Sequence, residues 1–148
     1  MLLEVLLACG ILALAAGWLW VGQQAYRNMY YRQQLQTAGR GVVTQIRNLQ
    51  QDAMLHNGGG RDIMQVLSQK PDGYVIGPPV IGGPKRRISF ADWGCDSVYF
   101  SYYLAKLSFS TNGSPAAAGY YILKHRKAAQ LEYKLAVQPV TGRVVVYE

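Results

Sequence analysis

Residues 1–21 read MLLEVLLACGILALAAGWLWV, and Glu4 carries the only charged side chain among them. At about 1.5 Å per residue, a helix of this length spans roughly 30 Å, the thickness of a bilayer's hydrocarbon core. A cleavable signal peptide would open with Lys or Arg and close on a small-residue cleavage site before a polar chain. No basic residue precedes this run, so a membrane-spanning helix is expected over residues 1–22.

Working outward, the helical pattern continues past the apolar run. Leu35, Ala38, Val42, Ile46, Leu49 and Ala53 recur at three- and four-residue steps, with Gln, Arg and Asn on the other faces. One helix to about residue 55 is expected, apolar all round in its first half and amphipathic in its second. Trp18, Trp20, Tyr26, Tyr30 and Tyr31 mark an aromatic zone at the change of character, where interfacial anchoring is the natural role. Gly10, Gly17, Gly22, Gly39 and Gly41 each cost up to about 1 kcal/mol relative to Ala in a helix interior. Two roles are open to them: close helix packing, or a stretch around Gly17 and Gly22 that bends or melts.

Asn57 to Gly60 predicts the helix end. A short second helix is expected over 61–69, and a Gly- and Pro-rich irregular loop over 72–84, so that 57–86 forms a connecting segment. Strands are expected over 87–91, 97–110, 119–126, 130–138 and 143–147, punctuated by Asn112-Gly113 and Thr141-Gly142. The fold class is therefore α+β: a long N-terminal helix (1–22, then 23–56) packed on an antiparallel sheet (87–148), the globular domain occupying 23–148. One domain suits a chain of 148 residues.

Lys plus Arg number 15 against 8 Asp plus Glu, a net charge of +7, which suits anionic lipid, nucleic acid or an acidic neighbour without choosing among them. Lys85, Arg86 and Arg87 form one basic cluster, and Lys124, Arg126 and Lys127, around His125, another. With Tyr99, Tyr102, Tyr103, Tyr120 and Tyr121 they are candidate DNA contacts, phosphate-binding cations beside stacking rings. Against this stands ordinary sheet packing for the tyrosines and solvated turns for the charges. Cys9 and Cys95 lie in the apolar run and the soluble part, too far apart along a helix for a disulfide, and Cys95 reads as a buried thiol. Two cysteines with His56 and His125 give no zinc spacing, and Asp92 with Asp96 is too few carboxylates for calcium, so neither metal nor cofactor is expected. Neither a nucleophile–base pair nor a phosphate-cradling glycine loop is evident, and no enzymatic activity is expected.

Glu4 requires its own account, because a carboxylate in hydrocarbon costs at least about 2.5 kcal/mol. It could lie at the membrane surface near the chain start, or it could be functional. The stretch Met1-Leu2-Leu3-Glu4-Val5-Leu6-Leu7-Ala8, with the apolar run and amphipathic helix behind it, resembles the start of mature type IV pilins and type II secretion pseudopilins. In that family the glutamate is usually fifth, after an N-methylated aromatic residue. The offset here leads to the expectation of a methylated phenylalanine ahead of Met1.

The resemblance implies a subunit that waits in the inner membrane, engages the pilus assembly machinery and polymerises with other copies into an extracellular helical filament. Val5, Leu6, Leu7, Ile11, Leu14 and Gly17 would pack in the filament core. Glu4 would pair with a neighbour's amino terminus and set registry. The role so implied is the main repeating pilin, supporting adhesion, motility or DNA uptake. The alternatives are a secretion pseudopilin, a minor tip pilin, or a membrane-anchored binding protein that never polymerises.

Overall fold

In the computed structural model, which describes residues 2–55, 62–79 and 83–147, α1 runs unbroken over Leu2–Leu55, 54 residues. That is about 80 Å of helix. Its first half stands clear of the sheets, with Leu6, Ile11, Leu14 and Trp18 all exposed. Its second half buries Leu35, Ala38, Val42, Ile46, Leu49 and Ala53, the stripe expected from the spacing, together with Val43. Burying the Leu, Val and Ile side chains is worth about 1.5–3 kcal/mol each, so the stripe is what holds the helix to the domain. Gly39 sits on it where a Cβ would come within 2.1 Å of the Tyr133 ring, so the helix approaches the sheet there closer than any other residue would allow.

The strands form two antiparallel four-stranded sheets rather than one. The first orders β3 (Arg86–Ser89), β2 (Lys70–Gly77), β1 (Ile63–Leu67) and β5 (Lys106–Leu107). The second orders β4 (Val98–Tyr102), β6 (Gly119–His125), β7 (Ala128–Val137) and β8 (Val144–Tyr147). Its core face alternates as strands should: Tyr121, Leu123, Tyr133 and Leu135 are buried against the helix. Phe90 and Phe100 form a tilted pair 5.0 Å apart between centroids, Tyr121 lies 5.7 Å from Phe100 within the second sheet, and Tyr74 of β2 lies 6.5 Å from Phe100 of β4, joining the two sheets.

The connecting segment corrects two expectations. Of the segment expected as a helix over 61–69, the described residues 62–69 do not form one, because Met64 and Val66 are buried at a period of two in a strand that pairs with β2 and β5. Five residues with β-branched Ile63 and Val66 suit a strand better than a helix. Nor is 72–84 an irregular loop throughout, since β2 continues to Gly77. Pro71 is tolerated because the register with β1 shifts between Gln65 and Leu67, where a missing N–H costs no ladder bond. Gly73 brings β2 against β3, a Cβ there falling 2.2 Å from the Ile88 carbonyl oxygen.

The expected strand over 97–110 is broken at Tyr103 to Ala105, where the chain leaves one sheet and joins the other as β5. The strand expected over 87–91 ends at Ser89. It gives way to a 3-10 turn, Phe90–Trp93, capped by the Ser89 hydroxyl and by Asp92, and closed by Gly94 at φ 71°. Gly113 and Gly142, at φ 79° and 64°, make the two turns expected from Asn112-Gly113 and Thr141-Gly142. The Gln50 amide donates to both turns, 2.9 Å to the Gly113 carbonyl and 2.9 Å to that of Thr141. The helix end expected at Asn57 to Gly60 lies outside the described residues.

Candidate functional site

Two regions carry polar chemistry out of keeping with their surroundings: the apolar half of α1 and its junction with the domain. Glu4 lies in the first helical turn and is exposed. Val5, Leu6, Leu7, Ile11, Leu14 and Gly17 follow it, every one exposed, and a Cβ on Gly10, Gly17 or Gly22 would meet open space. An apolar surface of this extent marks a contact with lipid or another protein. Gly39 and Gly41 differ from these three, being pressed against Tyr133 and Trp93. The two groups of glycines therefore serve different purposes, and only the second is explained by packing within the chain.

At the junction the two buried polar side chains among the described residues, Gln34 and His125, meet. His125, 1% exposed, places Nε2 2.9 Å from Gln34 Oε1. The Gln34 amide nitrogen donates to the Gly94 carbonyl at 3.0 Å and to the Tyr30 hydroxyl at 2.9 Å, so its oxygen is the acceptor toward His125. The Lys127 backbone N–H donates to Nδ1 at 3.2 Å, which fixes a neutral imidazole protonated on Nε2. Burial pushes the His125 pKa down, the nearby Lys127 charge adds to this, and Asp96 opposes it. Tyr31 stacks on the imidazole at 4.3 Å between centroids. The Cys95 thiol, also buried, donates to the Gln34 carbonyl at 3.4 Å, and burial raises its pKa. Both cysteines are free.

Cys95 is the buried thiol expected from sequence; the pairing of Gln34 with His125 was not foreseen, although a signal existed. His125 follows Tyr121 and Leu123 at a period of two, which places it on the core face, and Gln34 adjoins Leu35 one turn before Ala38.

The two basic clusters are carried on different sheets. Lys85, Arg86 and Arg87 are exposed at β3, with Arg87 paired to Asp72 at 3.1 Å. Lys124 pairs with Glu132 at 2.6 Å on the outer face of β6 and β7, while Arg126 and Lys127 make the turn between those strands. Of the expected stacking rings, Tyr121 is fully buried and Tyr103 packs on the core; Tyr102 and Tyr120 are exposed, and Tyr99 lies 6.0 Å from the Arg126 guanidinium. Lys134, 4.5 Å from the Tyr120 ring centroid and 5.8 Å from that of Tyr147, joins this face unforeseen. Asp92 accepts the Ser89 backbone N–H at 3.0 Å and so acts as a cap. Among the described residues no three His, Cys, Asp or Glu side chains are placed to hold a metal ion.

About four-fifths of the chain matches solved structures. Type IV minor pilin FimU of Pseudomonas aeruginosa strain PAO1 superposes in two crystal forms. One match has a TM-score of 0.61 at 19% identity, covering 79% of this chain and 90% of that one; the other has 0.57 at 18%, covering 77% and 93%. The chain has the type IV pilin fold. No family model matches it, and no curated protein matches it by sequence. Within the pilin fold the domain grips only the second half of the helix, so the first half, with Glu4, projects from it.

Proposed function

We propose that this pilin-fold chain is a filament subunit, held in the inner membrane by the first half of α1 and then drawn into an extracellular type IV pilus by packing that half among neighbouring helices. The observation that carries the proposal is the contrast within one continuous helix: a buried stripe from Leu35 to Ala53, and before it a run of exposed apolar residues carrying Glu4. A monomer in water gains nothing from that surface, whereas about 25 cal/mol is recovered for each Å² covered by lipid or by other helices.

In the filament, Val5, Leu6, Leu7, Ile11, Leu14 and Gly17 are the packing surface. Glu4 pairs with a neighbour's amino terminus, setting registry because opposite charges in a low-dielectric core strongly disfavour any arrangement that leaves one unpaired. A low-copy subunit fits better than the main repeating one. The structures it superposes on are minor pilins, and copies each bearing +7 would repel one another when closely stacked. Sheared surface filaments should contain this polypeptide at a small fraction of the dominant subunit, and cells lacking the assembly machinery should hold it in the inner membrane. Its absence from filaments, with a stable pool in the membrane, would favour a non-polymerising anchored protein.

A further inference from the structure

The outer face of the second sheet, turned away from α1, carries a row of side chains that has no part in the core. Strand register sets Tyr102 beside Ile122, Ile122 beside Lys134 and Lys134 beside Tyr147, one residue from each of β4, β6, β7 and β8. Tyr102 joins this row because the register shifts between Phe100 and Tyr102. Strict alternation from the buried Phe100 would turn Tyr102 to the core; the extra residue, Ser101, returns it to the outside, where it is 57% exposed. Tyr120 stands one step to one side of the row, two residues from Ile122, and Tyr99, opposite Lys124, stands one step to the other.

Lys134 is the cation at the centre of this face. Its ammonium lies 4.5 Å from the Tyr120 ring centroid and 5.8 Å from that of Tyr147, so two rings hold it in place. Among the described residues no carboxylate pairs with it. Lys124 beside it is engaged by Glu132 at 2.6 Å, and the Arg126 guanidinium lies 6.0 Å from the Tyr99 ring centroid at the margin. Lys124, Lys134 and Arg126 thus share the face with one carboxylate, Glu132, and the unpaired charge sits in the middle.

We propose that this face binds a linear acidic polysaccharide. The C–H side of a sugar ring lies on Tyr102 and Ile122, and a carboxylate two strands along, roughly 10 Å away, accepts from the Lys134 ammonium. Dimensions and charge select this occupant. At about 4.8 Å between strands and about 6.8 Å per two residues, the ring-bearing area is roughly 14 Å by 14 Å. That is on the order of 200 Å², against about 800 Å² that each partner gives to a stable protein interface. A second copy would also set Lys134 against charge of its own sign. Duplex DNA, with one charge per about 1.7 Å, needs a track of cations rather than one at the centre. Single-stranded nucleic acid needs bare ring faces for successive bases, whereas Tyr99, Tyr120 and Tyr147 each have a cation beside them. The face is complete in a single chain, so the proposal goes beyond the filament reading and does not depend on it.

The test is calorimetric titration of the full-length chain, in neutral detergent micelles, with oligogalacturonate, its methyl ester and oligothymidylate of equal charge. The wild-type chain should bind oligogalacturonate, and methyl esterification, which keeps the rings and removes the charges, should weaken binding roughly tenfold. Lys134→Gln should cost about as much, and Tyr102→Ala several-fold. Lys106→Gln, which removes an equal charge from the edge of the first sheet, should change nothing. Near-UV circular dichroism shows that each variant is folded, and the ester comparison needs no variant at all. No binding by the wild type, an ester bound as well as the acid, or unchanged affinity in Lys134→Gln or Tyr102→Ala overturns the site. So does an equal loss in Lys106→Gln, the mark of general charge attraction. Tighter binding of oligothymidylate than of oligogalacturonate gives the face to nucleic acid and overturns the polysaccharide. Each of these failures leaves the filament reading, which concerns the first half of α1, as it stood.

Discussion

Replacing Gln34 with Leu removes the hub of the junction while keeping the size and helix propensity of the side chain. Three hydrogen bonds are lost: to His125 Nε2, to the Gly94 carbonyl and to the Tyr30 hydroxyl. The Tyr30 hydroxyl is on an exposed residue and can turn to water. The other two partners matter more, because His125 is 1% exposed and its Nε2–H meets no acceptor but Gln34 among the described residues. A buried donor or acceptor left unsatisfied costs about 1–3 kcal/mol. Two such groups, offset by some apolar gain from the new Leu, put the loss at about 3 kcal/mol.

A loss of that size should lower the melting temperature of the globular part by roughly 10–20 °C. Near-UV circular dichroism of the full-length chain in micelles reads this change through the buried aromatic cluster and is insensitive to the helix half in detergent. Adding His125→Leu should cost less in the Gln34→Leu background than alone, with a coupling of at least about 1 kcal/mol. A loss below about 1 kcal/mol, or two variants whose effects simply add, would refute the account of the junction.

The pH dependence follows from the same histidine. Its folded pKa lies below its unfolded one, so the unfolded chain takes up the proton first; stability is complete above the ordinary histidine range near 6.5 and declines as pH falls through it toward the folded value. Urea midpoints measured between pH 8 and 5 should show that decline, and His125→Gln should flatten it. At Gly39, substitution by Ala should cost about 1–3 kcal/mol despite the better helix propensity, because the new Cβ meets the Tyr133 ring; thermal melts compared with the open-site control Gly17→Ala check this. The Tyr121 hydroxyl is buried with no hydrogen-bond partner among the described residues, so Tyr121→Phe should leave stability unchanged or raise it by about 1 kcal/mol in chemical denaturation.

How far the sequence was legible depends on the range of the interactions involved. The long helix was readable because its stripe repeats locally, and Leu35 to Ala53 are buried as the spacing requires. The strands β6, β7 and β8 were readable from their Tyr, Val, Ile and Leu content, and β7 also because Leu131, Tyr133 and Leu135 alternate with Gln130, Glu132 and Lys134. The β1–β2 hairpin was hidden, since five residues containing Ile63, Val66 and Leu67 satisfy a helical face as well as a strand, and only pairing with β5, forty residues on, decides between them. The division into two sheets was hidden for the same reason: the chain changes sheet at Tyr103 to Ala105 without any Gly or Pro to signal it. At the junction, His125 and Gln34 are ninety-one residues apart, and their complementarity exists only once α1 lies on β6. Glu4 was conspicuous from the start because its neighbours are all apolar.

Glu4 is also where the central claim is tested most directly. The measurement is the ratio of this chain in sheared filaments to that in the inner membrane, by quantitative mass spectrometry, for the wild type and for Glu4→Val, with membrane levels matched. A valine removes the registry charge and leaves the apolar helix intact, so the account predicts an undiminished membrane pool and a filament fraction reduced at least about tenfold, the equivalent of about 1.4 kcal/mol in incorporation. A filament fraction equal to that of the wild type would contradict it.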